Sequence, residues 1–250
     1  MTDHTPHSIL IVGATSLMAQ HVARHWVEGG ARAVRLIGRT APGLERVAAD
    51  LRVRGRSGVE VDTRAIDLSN PEDISAAVAE AAAELHPDTV LIAHGAMHDP
   101  LRMRTDLPLA HEQLESTGVS PALWLEAVVS STEARRIGVI GSVAGDRGRA
   151  SNYLYGSAKS MVERAAQGLS HRLQGSGRTV TLIKPGPTAT PMTGELQAKG
   201  ARLATAEAVA TDIVRGMARG RAVVYAPGIW RWIMLVVRLL PRAVFNRTSL

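Results

Sequence analysis

The sequence of 250 residues has no cysteine and few aromatic residues: four Trp, three Tyr and one Phe. Without cysteine, disulfides and thiolate metal sites are excluded, and a reducing compartment is indicated. We therefore expect a cytoplasmic protein without a metal centre. Residues 1–8 contain no apolar stretch behind a basic start, so no signal peptide is expected. No apolar run reaches the ~20 residues that a helix needs to span a bilayer.

Lysine is scarce as well, with three lysines among 29 basic residues. One of them, Lys159, lies four residues after Tyr155, a spacing that places both side chains on one face of a helix. An ammonium beside a phenol favours the phenolate and lowers the phenol pKa from about 10 toward neutrality. We therefore predict that Tyr155 is a general acid or base near physiological pH.

The chain carries a net charge of +6 at pH 7, nearly all of it from arginines spread along the sequence. Such a balance is compatible with nucleic acid or an anionic membrane as a partner, or with a solvated basic surface. No basic stripe is interleaved with stacking aromatic residues, so we expect no nucleic-acid binding.

Short apolar runs alternate with helix-length segments from end to end, which predicts a parallel sheet with helices on both faces. The expected strands cover residues 8–12, 33–38, 59–66, 90–93, 136–141, 179–184 and 222–225. The expected helices cover 17–28, 43–54, 71–85, 109–130, 152–173 and 206–218. Asn70 followed by Pro71 is a good helix start. No repeat or linker divides the chain, so residues 1–250 are predicted to form one α/β domain.

The first strand leads through Gly13 into a helix. A strand that turns into a helix N-terminus exposes backbone N–H groups that suit a pyrophosphate. The candidate cofactor-binding residues here are Gly13, Thr15, Ser16, Leu17 and Met18. Nucleotide loops usually carry three glycines, and here the later two positions are Leu17 and Ala19. An ordinary strand–helix turn is the alternative.

Two further strand ends carry candidate nucleotide contacts. Arg39 follows Gly38, where many NAD-binding folds have an acidic residue for the ribose, and an arginine there suits a 2′-phosphate. This favours NADP(H) over NAD(H), unless Arg39 is simply one of many surface arginines. Asp67 and Leu68 close the third strand, where the carboxylate could reach an adenine or cap a loop.

The fourth and fifth strands end in small residues. Ala93, His94 and Gly95 would let the backbone approach a flat ligand, and His94 is more typical of a packing or binding residue than of a base. Ser142 follows the fifth strand between two glycines and precedes Tyr155 by 13 residues. Because ligand sites lie at the carboxyl edge of open α/β sheets, its hydroxyl is expected to face the phenol and polarise a carbonyl oxygen.

The sixth strand leads into a proline-rich loop with candidate contacts for a carboxamide or phosphate. These cofactor-binding residues are Pro185, Gly186, Thr188 and Thr190. Residues 192–203 should then cover the substrate, but no motif there reveals its identity.

Taken in order, these motifs resemble the short-chain dehydrogenase/reductase superfamily over essentially the whole chain. The resemblance implies a Rossmann-like, doubly wound sheet of about seven strands, a nicotinamide cofactor and a homo-oligomer, either dimer or tetramer. It also implies that Tyr155 is the acid/base, that Ser142 orients the substrate carbonyl, and that Lys159 holds the nicotinamide ribose. The asparagine that completes the catalytic tetrad of the family is replaced by Thr117, which puts the proton-relay water in doubt.

The C-terminal extension, residues 229–250, contains an apolar stretch that is too short to span a bilayer. Read as a helix, it has arginines on one side and apolar residues on the other. The arginines are Arg231, Arg238 and Arg242, and the apolar residues are Trp230, Ile233, Val237 and Leu240. This pattern fits a helix lying on the inner face of an anionic membrane. Packing on its own domain or at a dimer interface is the alternative.

Within the superfamily, the glycine loop, the segment ending in His94-Gly95 and this tail are similar to reductases of polyprenyl-phosphate-linked keto-pentoses. We therefore expect an NAD(P)H-dependent reductase of a lipophilic or lipid-linked keto-sugar. One alternative is a reductase of another apolar carbonyl, such as a 3-oxoacyl chain, a steroid-like ketone or a long-chain aldehyde. Another is a non-catalytic protein that senses the cofactor.

Overall fold

A computed structural model describes residues 6–55, 58–194, 198 and 200–248. Its strands are β1 (Ser8–Val12), β2 (Ala33–Gly38), β3 (Glu60–Ala65), β4 (Thr89–Ile92), β5 (Arg136–Ile140), β6 (Thr179–Pro185), β7 (Thr188–Ala189), β8 (Ala204–Thr205) and β9 (Val223–Ala226). Its α-helices are α1 (Leu17–Glu28), α2 (Ala41–Arg54), α3 (Pro71–Glu80), α4 (Leu107–Leu114), α5 (Ser120–Ser131), α6 (Tyr153–Arg172), α7 (Ala206–Ala218), α8 (Trp230–Leu239) and α9 (Arg242–Phe245).

Within these residues the main sheet has seven parallel strands in the order β3-β2-β1-β4-β5-β6-β9. The central strands are continuous apolar runs, because both faces of a parallel sheet are covered by helices. Residues 9–12 of β1, for example, are fully buried. Alternate side chains of these strands enter two apolar cores, one on each face. The predicted Rossmann-like α/β fold is confirmed.

The strand order reverses beside β1, so that β1 and β4 are neighbours although two strands lie between them in sequence. In open α/β sheets, ligands bind in the crevice outside the carboxyl ends of the strands at such a switch point. This edge of the sheet carries the segments that follow Val12, Ile92 and Ile140.

The element bounds differ from the predicted ones by one or two residues, which is the ordinary uncertainty of helix and strand ends. The predicted start at Asn70 is confirmed, since its side chain accepts hydrogen bonds from the N–H groups of Glu72 and Asp73. Two predicted helices contain π turns: Ala81–Leu85 follows α3, and Glu115–Val119 joins α4 to α5. Such turns are frequent at functional sites, and the second one contains Thr117.

The C-terminal extension forms α8 and α9 on the outside of the sheet. Met234 and Val237 of α8 are buried against Val143, and Phe245 of α9 packs beside them. A second face of α8 is exposed, with Ile229, Trp232, Val236 and Leu239 60% or more accessible to solvent. None of the helices in the described ranges is long and apolar enough to cross a membrane.

Candidate active site

Ser142 and Tyr155 meet at the carboxyl edge of the sheet. Ser142 follows β5 in an extended conformation, and its Oγ accepts a hydrogen bond of 3.1 Å from the N–H of Ala144. Tyr155 lies in the first turn of α6 and is partly buried. Desolvation raises the pKa of its phenol, while a hydrogen bond with Ser142 acts in the opposite direction. The predicted serine–tyrosine pair is therefore brought together.

Two glycines allow this approach. A Cβ on Gly156 would lie 2.8 Å from the carbonyl oxygen of Ala144, and a Cβ on Gly145 would lie 3.1 Å from the backbone of Lys159. The short 3₁₀ turn Val143–Gly145 can therefore lie directly on the first turns of α6. Any larger residue at position 156 would push the serine segment away from the tyrosine.

Lys159 is 4% exposed and lies on the same face of α6 as Tyr155. Its Nζ donates a hydrogen bond of 2.8 Å to the carbonyl oxygen of Ile140, and lies 5.9 Å from the centre of the Tyr155 ring. Burial lowers the pKa of Lys159 to about 8. The pKa of Tyr155 is raised, not lowered as the sequence predicted, because burial of the phenol outweighs the other influences on it.

The Gly13 turn forms a cradle at the start of α1. Gly13 has a positive φ of +76°, and a Cβ there would lie 2.6 Å from the backbone nitrogen of His94. Only glycine therefore permits this close approach of the turn to the segment after β4. Ser16 precedes α1 without a side-chain capping bond, and the first turn of the helix holds no acidic residue. The Ser16 hydroxyl and the N–H groups of the first turn of α1 are thus available to an anionic ligand.

The remaining residues predicted for this turn surround the cradle. Thr15 is exposed, with its methyl group beside the position of Gly43 at the start of α2. Leu17 and Met18 are the first residues of α1 and are partly buried. Their backbone N–H groups belong to the unpaired first turn of the helix.

Arg39 and Asp67 lie exposed after β2 and β3 on the same side of the sheet. Arg39 has no ion pair among the described residues, and its positive charge contributes to the lowered pKa of His94. Asp67 accepts a hydrogen bond of 2.9 Å from the N–H of Ser69. Leu68 is buried, and its carbonyl oxygen accepts a hydrogen bond of 2.6 Å from the hydroxyl of Ser120.

His94 is held as a neutral imidazole. Burial, followed by the charges of Lys159 and Arg39, lowers its pKa to about 3. Its Nε2 lies 2.7 Å from the Ser120 hydroxyl, whose proton already goes to Leu68, so Nε2 must donate. The buried Nδ1 is then an acceptor without a partner in the described part of the chain. This geometry agrees with the prediction that His94 is a binding residue and not a catalytic base.

Thr117 and Lys159 both lie next to Gly95. Its Oγ1 and the Lys159 Nζ would lie 3.5 and 3.4 Å from a Cβ at Gly95. The Thr117 hydroxyl is fully buried and engaged with Ala96, accepting from its N–H at 2.9 Å and donating to its carbonyl oxygen at 3.0 Å. Gln113 also donates to this hydroxyl at 2.9 Å. Thr117 therefore secures the loop after the buried Ala93, and its only proton is occupied there.

Threonine hydroxyls in the loop after β6 already form hydrogen bonds within the loop. Thr188 is buried and donates to the carbonyl oxygen of Gly186 at 2.9 Å, which closes the turn after Pro185. The Thr190 hydroxyl lies 3.5 Å from that of Thr193 and is partly accessible. Of the predicted covering segment 192–203, residues 195–197 and 199 lie outside the described residues.

The residues present fit a nicotinamide dinucleotide. The close-packed Gly13 turn, the uncapped helix at Ser16 and the unpartnered Nδ1 of His94 lie along one edge of the sheet. This edge leads from α1 to Ser142, Tyr155 and the buried Lys159. The end of this edge at the start of α1 suits phosphates, and the end at Ser142, Tyr155 and Lys159 suits a flat ring beside a reducible carbonyl.

Sequence reasoning missed the buried ion pairs behind this site. The side chains of Lys184 and Asp146 are each 1% exposed and paired, and Lys184 also bonds Glu163. A signal was present, because Lys184 is one of only three lysines, the same scarcity that singled out Lys159.

The C-terminal helix adjoins the site directly, which agrees with the predicted alternative that it packs on its own domain. Trp230 covers Gly186, where a Cβ would lie 2.0 Å from the indole nitrogen. Met234 and Val237 pack on Val143, the residue after Ser142. Two members of the predicted apolar group, Trp230 and Val237, share the face that packs on the domain, whereas Ile233 is 39% exposed.

Comparison with known proteins gives consistent relationships. A model of the short chain dehydrogenase family matches residues 7–201. An uncharacterized oxidoreductase of Streptomyces coelicolor is 34% identical over 97% of this chain and 96% of its own length. An uncharacterized oxidoreductase of Mycobacterium tuberculosis is 32% identical over 99% of both chains.

Among solved structures, a short chain dehydrogenase from Burkholderia cenocepacia in complex with NADP superposes with a TM-score of 0.81. The match covers 99% of both chains at 17% sequence identity. At this identity the likeness concerns the fold, which in that protein holds NADP.

Proposed function

This chain belongs to the short-chain dehydrogenase family, and we propose that it is an NADP(H)-dependent reductase that acts on a ketone with Tyr155 as general acid. That it is an NAD(P)-dependent oxidoreductase follows from the family and its oxidoreductase relatives. The observation that carries the finer proposal is the hydrogen-bonded pair of Ser142 and Tyr155, which lies beside the buried Lys159 at the switch-point edge.

In this proposal the bound nicotinamide supplies the hydride to the carbonyl carbon. Ser142 donates a hydrogen bond to the carbonyl oxygen as negative charge develops on it. Tyr155 donates its phenolic proton to the same oxygen. The raised pKa of Tyr155 suits this direction, because the phenol is protonated at neutral pH and can act as an acid.

Lys159 and Thr117 have supporting roles in this mechanism. The Lys159 ammonium is anchored on Ile140 and lies 5.9 Å from the centre of the Tyr155 ring, and its role in this mechanism is to bind a ribose hydroxyl. Thr117 fixes the Gly95–Ala96 backbone beside that ammonium instead of contacting substrate. The family's water relay through an asparagine is thus replaced by an arrangement in which threonine shapes the loop.

For the cofactor, we propose NADP(H) in preference to NAD(H). The exposed guanidinium of Arg39 stands after β2 without an ion pair in the described residues. Gly38 occupies the position where an acidic residue would hold the ribose. A 2′-phosphate would form charge-assisted hydrogen bonds with this guanidinium.

For the substrate, we propose a lipophilic or lipid-linked keto-sugar, by similarity to decaprenylphosphoryl-2-keto-ribose reductase. Two observations support this choice. The apolar helix α8 lies against the Ser142 segment, and its exposed face offers a surface for a lipid chain. Arg149, six residues before Tyr155, has a buried Nε without a partner in the described ranges, and burial lowers its pKa. An anionic group such as a phosphate would satisfy it.

The exposed face of α8 also supports peripheral membrane association of a cytoplasmic enzyme. Trp232 lies on this face, and Arg231 and Arg238 flank it, a combination suited to an anionic interface. A homo-oligomer is further proposed, supported by the exposed apolar side chains of Leu107, Leu123 and Met161 on α4, α5 and α6.

The test compares Tyr155→Phe with the matched variant Tyr153→Phe, whose tyrosine is 46% exposed. NADPH oxidation is followed with a lipid extract and with apolar ketones, and titrations with NADPH and NADH measure cofactor binding. We expect Tyr155→Phe to lose about 10²–10⁴-fold in turnover, because a positioned acid contributes that much. Tyr153→Phe should retain turnover, and both variants should bind NADPH as the wild type does.

Substantial turnover by Tyr155→Phe would refute the assignment of the general acid. Reduction of simple apolar ketones in preference to the lipid extract would favour the alternative of another apolar carbonyl. Binding of NADPH without turnover of any carbonyl would favour a cofactor-sensing protein.

A further inference from the structure

A buried ionic cluster lies behind the Ser142 segment, formed by Lys184, Asp146, Glu163 and Tyr225. The side chains of Lys184, Asp146 and Glu163 are 1%, 1% and 8% exposed. The Lys184 ammonium bonds Oδ1 of Asp146 and lies 2.8 Å from Oε2 of Glu163. Taking three charges out of water is costly unless their geometry and hydrogen bonds are nearly complete.

In this cluster the hydrogen bonds of the carboxylates are complete. The Tyr225 hydroxyl donates to Oδ2 of Asp146 at 3.3 Å, and the ring of Tyr225 lies 5.4 Å from the Lys184 ammonium. The side-chain amide of Gln167 donates to Oε1 of Glu163 at 3.1 Å. Every carboxylate oxygen therefore has a partner, and such satisfied networks hold their members in one arrangement. Burial alone would lower the pKa of Lys184, but its hydrogen bonds to both carboxylates raise it.

The cluster joins three segments that carry the proposed active-site groups. Asp146 ends the 3₁₀ turn that begins at Ser142, and its N–H bonds the carbonyl oxygen of Val143 at 3.2 Å. Glu163 lies on α6, one turn after Lys159 and two turns after Tyr155. Lys184 lies at the end of β6, directly before Pro185.

We propose that Lys184 is a positioning residue, which ties the Ser142 turn to α6 and so holds the serine hydroxyl opposite Tyr155. This inference rests on the proposed reductase function. A buried ion pair is weak evidence for stability, because apolar residues of similar volume often serve as well. Its advantage here is geometric: a displacement of ~1 Å between reacting groups can lower a rate by about 10²-fold.

The first measurement requires no substrate. Hydrogen–deuterium exchange is compared among the wild type, Lys184→Met and the matched variant Arg35→Met. Arg35 is 5% exposed on β2, and it pairs with Asp62 at 2.7 Å and Glu84 at 2.8 Å on the opposite half of the sheet. We expect Lys184→Met to lose protection at residues 142–147 and at the start of α6, whereas Arg35→Met should leave these segments protected. Unchanged protection in Lys184→Met would overturn the proposal.

The second measurement is kinetic, with NADPH and a long-chain methyl ketone. Lys184→Met is expected to lower kcat about 10- to 100-fold with little change in the NADPH dissociation constant, because the bonds of Lys184 go to Asp146 and Glu163 and not to the Gly13 turn. Lys184→Arg, which keeps a cation between the carboxylates, should recover part of kcat. A kcat equal to that of the wild type would contradict the positioning role, as would equal losses in Arg35→Met and Lys184→Met.

If Lys184→Met does not fold, hydrogen–deuterium exchange and kcat are measured on the milder variant Tyr225→Phe instead. It removes the hydroxyl that bonds Asp146 and leaves all three charges paired. A smaller loss of kcat and of protection at 142–147 would then support the proposal, and unchanged values would oppose it. Failure of the wild type to reduce both this ketone and the lipid extract would count against the proposed function alone, because exchange still decides the role of Lys184.

Discussion

At Lys159, burial and function act against each other. Within the described part of the chain the ammonium has one hydrogen-bond acceptor, the carbonyl oxygen of Ile140, and burial lowers its pKa to about 8 from the ordinary 10.5. The protein thus spends stability to keep a charge beside Tyr155. A pKa that is shifted by desolvation, as that of Lys159 is, is typical of active-site groups.

The stability of the fold should therefore respond to the titration of Lys159. Between about pH 8 and pH 10.5 the unfolded chain holds this proton more tightly than the folded chain, so stability rises with pH in that window. Relative to Lys159→Met, the wild type should gain on the order of 3 kcal/mol across it. Urea unfolding of both proteins at several pH values measures this difference, in which the titrations of other groups largely cancel. A difference that does not vary with pH would contradict the lowered pKa.

At the scale of elements, one arginine connects the active-site loop to the C-terminal helices. Arg147 donates hydrogen bonds to the carbonyl oxygens of Val237 and Leu240, the latter at 2.7 Å, and its guanidinium lies 3.8 Å over the ring of Phe245. The carbonyl groups at the end of α8 otherwise lack partners within the helix. The position of α8 beside Ser142 thus depends on a residue of the loop that Ser142 begins.

Replacing this residue with methionine should loosen the tail. In Arg147→Met we expect trypsin to cleave after Arg231 and Arg238 roughly tenfold faster, since local opening that costs ~1.4 kcal/mol less is ten times more populated. Arg172→Met is the control, because Arg172 forms an exposed pair with Glu126 that contributes little. Cleavage at the same rate in Arg147→Met and the wild type would show that the apolar contacts alone hold the tail.

At the scale of the whole molecule, positive charge and exposed apolar side chains occur together on the solvent-exposed face of α8, which we call the C-terminal face. The chain carries a net charge of +6, and α8 exposes Trp232, Val236 and Leu239 beside its arginines. Apolar burial and attraction to anionic lipid would both act on this face, and the second is screened by salt.

Binding to anionic vesicles should therefore depend on this face specifically. Trp232→Glu is expected to reduce sedimentation with phosphatidylglycerol vesicles several-fold and to leave the fold intact, because Trp232 is 60% exposed. Val53→Glu adds the same charge at an apolar residue that is 87% exposed on α2 and should bind as the wild type does. Equal binding by both variants would remove the proposed membrane surface.

Much of the fold was predictable from the sequence because the signals are local. Runs such as residues 9–12 and the proline after Asn70 specify a strand and a helix start through neighbouring residues alone. The spacing of Tyr155 and Lys159 likewise fixes their common face on α6. The roles of these residues in catalysis stay predictions, supported by the position of Ser142 opposite the phenol.

The sequence by itself determined the order of strands and helices, the glycine turn at residue 13 and the residues that follow each strand. Only the tertiary structure decided that Tyr155 has a raised pKa, that Thr117 uses its proton on Ala96, and that Lys184 joins Asp146 to Glu163. The physical reason is that desolvation and hydrogen-bond partnership depend on atoms far apart in the chain, whereas helix and strand patterns depend on residues that are close together in it.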